Sequence, residues 1–279
     1  MIHPIKIVFD SASDLLELPD VDSAMAPLKI ITAEKEYVDD ASLDVVGMTN
    51  DLLGYKGRSS TSCPNLDDWL RAFGDGEKIV CVTITGTLSG SYNTACLAKE
   101  QYEELHPDRR VFVLNSLSAG PEIALILEKA RECVLAGMDF DAVCHEITAY
   151  SHGTGLMFVL ESLKNLANNG RVSPMVARLA GLLDIRIVGK AGDKGDLEPL
   201  DKSRGERRSL EALVKRMKEQ GYAGGKVRIS HCLNERAAVA VRTLLQDRYP
   251  SAEISMYPSR GLCSFYAERG GLLVGFEKA

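Results

Sequence analysis

Short apolar runs recur along the chain, each closed by a turn signal and followed by residues at helical spacing. Ile5 to Phe9 ends at Asp10-Ser11. Ile79 to Ile84 ends at Thr85-Gly86-Thr87-Leu88-Ser89-Gly90, and Tyr92 to Leu105 then reads as a helix. Val111 to Leu114 ends at Asn115-Ser116, and Glu122 to Leu135 reads as the next helix. Strands alternating with helices predict βαβ units and a mostly parallel sheet with helices on both faces. Functional groups in such sheets gather at the carboxyl ends of the strands, where Asp10, Ser89 and Ser116 fall.

Residues 12–60 are less regular. Leu28 to Ile31 and Tyr37-Val38 read as short strands and Asp44 to Tyr55 as a helix, so this stretch is expected to be an insertion or small subdomain. A second part begins near the turn-rich Ser151-His152-Gly153-Thr154-Gly155. It holds strand-like runs at Leu156 to Leu160, Lys226 to Cys232, Glu253 to Tyr257 and Leu272 to Phe276. Helical patterns occupy Pro174 to Leu183, behind the cap-like Ser173, and Glu235 to Arg248. The expected organisation is an α/β domain over 1–150 and a second α/β domain over 151–279.

Composition narrows the function classes. A chain of 279 residues with 45% hydrophobic and 26% charged positions is an ordinary globular protein with a sizeable core. Aromatics are 6%, so the apolar content is mostly aliphatic, which suits packed α/β layers and equally an aliphatic cavity. The net charge of −6 argues against general affinity for nucleic acid or anionic lipid surfaces. The seven cysteines are scattered without C-x-x-C spacing and read as reduced core thiols. No secretion signal is visible at the amino terminus, and no apolar run approaches the roughly 18 residues of a membrane helix. The expectation is a soluble cytoplasmic protein.

Standard catalytic signatures are missing. No P-loop, nucleophile elbow or dinucleotide fingerprint is present, and the five histidines form no metal-ligand spacing. What stands out is a set of hydroxyl- and glycine-rich turns. Ser59-Ser60-Thr61-Ser62-Cys63-Pro64 precedes a helix beginning near Leu66, and Thr87-Leu88-Ser89-Gly90-Ser91 precedes another. Free N–H groups at a helix start, together with nearby hydroxyls, bind anions; the plain alternative for each turn is N-capping. A third turn, Asn168-Asn169-Gly170-Arg171-Val172-Ser173, brings a guanidinium able to grip a carboxylate or to pair with a structural Asp. The basic stretch Lys202 to Arg208, with Arg204, Arg207 and Arg208, reads as a solvated helix start or as a docking surface for an acidic partner.

At these turns the sequence resembles the DegV family of bacterial fatty-acid-binding proteins. Ile7-Val8-Phe9-Asp10-Ser11-Ala12-Ser13-Asp14-Leu15 is similar to the family's V-x-D-S-x-x-D-L opening, and Thr61-Ser62-Cys63-Pro64 to its T-S-Q-P. Leu88 to Ala95 resembles L-S-G-T-Y-x-x-A, Asn115-Ser116 stands where the family has Asp-Ser, and Leu163 to Ser173 is similar to L-x-x-L…G-G-R-I-S. The five pieces occur in the family's order along nearly the whole chain. The resemblance implies a two-part α/β architecture with a fatty acid enclosed between the parts and no other cofactor or metal. It implies that Thr61, Ser62, Ser89 and Gly90 hold the lipid carboxylate, with Arg171 nearby. It further implies a carrier that is not itself an enzyme. Such a carrier presents its acyl group to a separate ATP-dependent kinase, and the acyl-phosphate feeds phospholipid synthesis. Three positions depart from the pattern. Tyr266 stands where the family often has a His of H-T-G-P-G, Asn115 replaces an Asp, and Cys63 replaces a Gln.

Two other classes remain alongside the carrier. One is a regulatory module for a small anion; the other is a hydrolase or transferase using Ser89 with His231 or His152, which needs a base within reach of that hydroxyl.

Overall fold

The structure, a computed structural model, describes residues 5–173, 176 and 184–279. The first sheet runs β2-β1-β6-β7 and is parallel throughout. Its strands are β1 (Ile5–Asp10), β2 (Ser23–Ala26), β6 (Lys78–Thr83) and β7 (Arg110–Asn115). A parallel sheet is covered on both faces, so its strands read as unbroken apolar runs. Ile7, Phe9, Val80 and Val82 point to one side, where α4 (Pro121–Leu135) and α5 (Phe140–His152) pack. Val8, Ile79 and Cys81 point to the other, against Trp69 and Phe73 of α2 (Leu66–Phe73) and Ala95 and Ala98 of α3 (Ser91–Leu105).

The irregular stretch forms a small antiparallel sheet, β4-β3-β5, from β3 (Lys29–Ile31), β4 (Glu36–Val38) and β5 (Ser60–Ser62), beside α1 (Val45–Gly54). Asp44 caps α1 by accepting from Gly47 N–H.

The second sheet runs β10-β9-β8-β13-β11-β12. It comprises β8 (Thr154–Leu160), β9 (Ile185–Ala191), β10 (Leu197–Arg204), β11 (Val227–His231), β12 (Ile254–Pro258) and β13 (Leu272–Glu277). It is antiparallel except for the β11–β12 pair. Met157 and Val159 of β8 face outward, where α7 (Glu206–Glu219) and α8 (Glu235–Arg248) cover the sheet. Leu156, Phe158 and Leu160 face inward, toward α6 (Lys164–Asn168) and α9 (Gly261–Ala267). The helix expected over Pro174 to Leu183 lies outside the described residues, apart from Val176.

Helix α4 joins the two halves. Its first seven residues, Pro121 to Leu127, are all buried, the pattern of a helix that has no solvent side at that end. It touches β1 and β6 on one flank and β8, β11 and β13 on the other. The approach is close: a methyl at Gly275 of β13 would meet the backbone of Pro121 and Glu122 at 2.5 Å. Among the described residues no helix is long and apolar enough to cross a membrane, and all seven cysteines are free thiols.

Candidate functional site

The inward faces of the two halves leave a cavity of about 270 Å³. Thr61, Ser62, Ser89, Gly90, Arg171 and Tyr266 all line it, so the six residues singled out in the sequence meet around one space. The rest of the wall is mostly apolar, including Ile84 from the first half and Leu156, Phe158 and Leu273 from the second. A larger depression of about 550 Å³ lies beside the small sheet, with Asp51 at its wall already engaged by neighbouring groups. There Lys35 and Tyr37 both bond Asp51, at 2.7 and 2.9 Å.

Each polar group is brought to the cavity by a local device. Thr61 and Ser62 do not cap the helix that follows them, contrary to the capping alternative. They lie in β5, and Asn65 caps α2 in a reciprocal box with Asp68. Their hydroxyls are thereby released toward the cavity, and Thr61 Oγ1 sits 2.7 Å from the Tyr266 hydroxyl. Gly90 is the N-cap of α3, which leaves the first N–H groups of that helix pointing at the same end. Ser89 Oγ accepts from Ser91 N–H at 3.2 Å. Arg171 donates from Nε to the Leu88 carbonyl at 3.0 Å, tying the guanidinium to the Ser89 turn.

Buried carboxylates position these pieces. Asp10 Oδ2, at the end of β1, accepts from Ile84 N–H at 2.9 Å and Ser91 Oγ at 2.6 Å, pinning both ends of the Ser89 turn. Burial pushes the Asp10 carboxyl up to about 6 against those two bonds. Asn115 holds the same loop by accepting from Gly86 N–H at 3.0 Å. Asp39 accepts from Gly261 and Leu262 N–H at 2.8 and 2.9 Å, and Asp14 from Arg260 N–H at 2.7 Å. Two carboxylates from the first half thus hold the start of α9, the helix that carries Tyr266. Burial raises the Tyr266 hydroxyl above its ordinary value, so it remains a protonated donor near neutral pH.

Sequence reading missed Asp39 because its partners are more than two hundred residues away, with no local signal. It missed Phe158 and Leu273 as lining because a wall residue and a core residue look alike in a strand. His231 and His152 do not line the cavity, and among the described residues no imidazole does. Nor does any group of three His, Cys, Asp or Glu side chains come together to hold a metal ion among those residues. Arg204, Arg207 and Arg208 lie away from the cavity, exposed at the end of β10 and the first turn of α7. Arg207 pairs with Glu211 on its own helix at 2.9 Å.

Fold and cavity together define the class: an α/β protein with two main sheets and a small third one, enclosing a mostly apolar cavity whose polar lining is hydroxyls and one arginine. The chain belongs to the DegV family, described as one of uncharacterised proteins, which matches residues 4–278. A DegV domain-containing protein of Streptococcus pneumoniae is 44% identical over 276 residues, 98% of either chain. Among solved structures, the Streptococcus pneumoniae Fatty Acid Kinase (Fak) B3 protein loaded with linoleic acid is 43% identical. It superposes with a TM-score of 0.97 over 100% of both chains. A DegV family protein from Eubacterium eligens loaded with heptadecanoic acid is 41% identical, with a TM-score of 0.96 over 99% of this chain and 100% of its own.

Proposed function

We propose that this chain is a fatty-acid carrier. It encloses one long-chain fatty acid between its two α/β domains, 1–150 and 151–279, and presents the carboxylate to a separate ATP-dependent kinase in the cytoplasm. The observation that carries the reading is the division of one cavity into two chemistries. Apolar side chains form most of the wall, and the polar lining residues adjoin one another, Thr61 meeting Tyr266, Arg171 bonding the Leu88 carbonyl beside Ser89, and Gly90 lying against Cys63. Each methylene buried against such a wall contributes about 0.8 kcal/mol, so the tail supplies affinity. The hydroxyls of Thr61, Ser62, Ser89 and Tyr266, the Gly90 amide and the Arg171 guanidinium then fix the head. Support comes also from the two similar solved proteins, each loaded with a fatty acid. In this reading Arg204, Arg207 and Arg208 form the docking face for the kinase.

The competing readings lose support on the same geometry. A small anion leaves most of the apolar wall unused, and among the described residues no histidine lines the cavity to serve Ser89 as the base a hydrolase requires. Native mass spectrometry of the purified protein, with solvent extraction of bound lipid, tests the proposal. A long-chain fatty acid bound to the wild type and lost from the Thr61→Ala/Ser89→Ala variant is the expected result. An apo mass that persists after incubation with fatty acids overturns it.

A further inference from the structure

Asp14 follows the short 3-10 turn after β1 with a left-handed backbone (φ 62°), and its side chain is buried between the halves. Oδ1 accepts from Arg260 N–H. Oδ2 is buried without a hydrogen-bond partner among the described residues, and so are the nearby hydroxyls of Ser230 on β11 and Tyr257 on β12. Unpaired buried groups of this kind call for an explanation beyond packing.

Gly120 shows what lies in front of that oxygen. A methyl there would start 3.4 Å from Asp14 Oδ2, 3.1 Å from Leu273 Cδ1 and 3.5 Å from Cys263 Sγ. Leu273, Cys263 and the neighbouring Ala119 all line the cavity. The carboxyl therefore stands one side-chain layer behind the apolar wall. Its titratable and charged neighbours come from every element around it: Asp10 on β1, Asp39 after β4, Arg260 before α9, Cys263 on α9, Cys232 after β11 and Tyr257 on β12. The Arg260 guanidinium leans on Asp39, 3.8 Å from Nε to Oδ1, rather than on Asp14.

Burial pushes the Asp14 carboxyl up to about 7, opposed first by the Arg260 N–H and reinforced by Asp39. Both protonation states are thus populated near neutral pH. An acyl tail against Leu273 and Cys263 replaces water on the near side with hydrocarbon, which disfavours the charged form.

We propose that Asp14 is a proton-binding site linked to the cavity: filling the cavity with an acyl tail drives proton uptake at this carboxyl, and the chain therefore holds its lipid more tightly as pH falls. The inference rests on the carrier reading and adds a regulator to its site. By linkage the dissociation constant falls by up to about tenfold per pH unit around neutrality.

Calorimetric titration with sodium tetradecanoate below its micelle concentration, in two buffers of different ionisation enthalpy near pH 7, counts the protons. The expected result is net uptake of part of one proton per lipid bound, abolished in Asp14→Asn whatever the affinity of that variant. Uptake that persists in Asp14→Asn places the proton elsewhere, on the lipid head for example, and overturns the proposal, as does binding without uptake in the wild type. Absence of any binding heat removes the carrier reading itself, a different outcome from these. Should Asp14→Asn fail to fold, carbon-13 spectra of the wild-type aspartate carboxyls decide. An Asp14 titration midpoint near neutrality that rises on loading supports the linkage, and an unmoved midpoint overturns it.

Discussion

Tyr266 joins the polar end of the cavity to the apolar part. Its ring packs edge-on against Phe265, with centroids 4.9 Å apart, while its hydroxyl meets Thr61. Under the carrier reading proposed above, Tyr266→Phe keeps the ring and deletes one donor to the lipid carboxylate. A hydrogen bond to a charged group contributes about 1.5–3 kcal/mol, so fatty-acid affinity should weaken about ten- to a hundredfold, with little change in thermal stability. Because this hydroxyl stays protonated near neutral pH, the loss should be the same at mildly acid and mildly basic pH; competition with a fluorescent fatty acid measures it. Ser91 has a different duty. Its hydroxyl is a donor to Asp10, whose Oδ1 is already unpaired among the described residues. Ser91→Ala strips a further partner from a buried carboxyl and should destabilise the fold by about 1–3 kcal/mol in urea unfolding. Unchanged stability would show that Asp10 is protonated and content without it.

At the scale of elements, the hydrophobic pattern revealed β1, β6 and β7 of the first sheet, which are covered on both faces and read as apolar runs, but not its edge strand β2, Ser23–Ala26. It did not reveal β5, where Ser60-Thr61-Ser62 carries no apolar signal and is a strand only through pairing with β3. Nor did it show β10, where Pro199 and a register shift between Pro199 and Asp201 destroy the period of two. Five of the six cavity residues were legible because turn hydroxyls, a glycine and an arginine are conspicuous by type; Tyr266 was reached only through the family resemblance. Of the carboxylates that position them, Asp10 stood out at the end of β1 and Asp14 only through the family's opening motif, while nothing local distinguishes Asp39 from a surface acid. The β9–β10 hairpin also bears on the cavity. Its tip lies on the loops at the carboxyl ends of β6 and β7, and Leu197 beyond the tip lines the wall. Gly195 there has φ 76°, and a methyl on it would sit 2.1 Å from Thr85 Oγ1 and 3.0 Å from the Leu117 backbone. Gly195→Ala should therefore lift the tip and withdraw Leu197. The expected readouts are faster proteolysis between β9 and β10 and faster transfer of bound fatty acid to vesicles; unchanged rates would mean that the hairpin takes no part in closing the cavity.

Over the whole molecule, the acids divide into two populations with opposite effects on stability. Asp51, Asp141, Asp201 and Glu253 are lowered by their Lys or Arg partners. They sit at the surface, with side chains 32–73% exposed, where solvent screening leaves such pairs little weight. Asp10, Asp14, Asp39 and Glu122 are buried and raised, first of all by burial. A folded-state value above the unfolded one means that the folded chain keeps protons which the unfolded chain has released. The stabilisation is complete below the unfolded value near 3.8 and is lost as pH rises through about 6 for Asp10 and about 7 for Asp14. Each such proton changes stability by up to about 1.4 kcal/mol per pH unit. The net charge of −6 adds self-repulsion in the same direction as carboxyls ionise. The urea midpoint of the lipid-free protein should therefore rise from mildly basic pH to about pH 5.5, and the rise should be smaller in Asp14→Asn, which has no proton to hold. If the wild-type midpoint instead falls over that range, the buried carboxyls are not protonated in the folded chain and the reading fails. A protein whose interior acids favour a slightly acid medium, and whose cavity adjoins one of them, then has stability and lipid retention moving together with pH, and comparing the urea slope with and without fatty acid shows whether they share a proton.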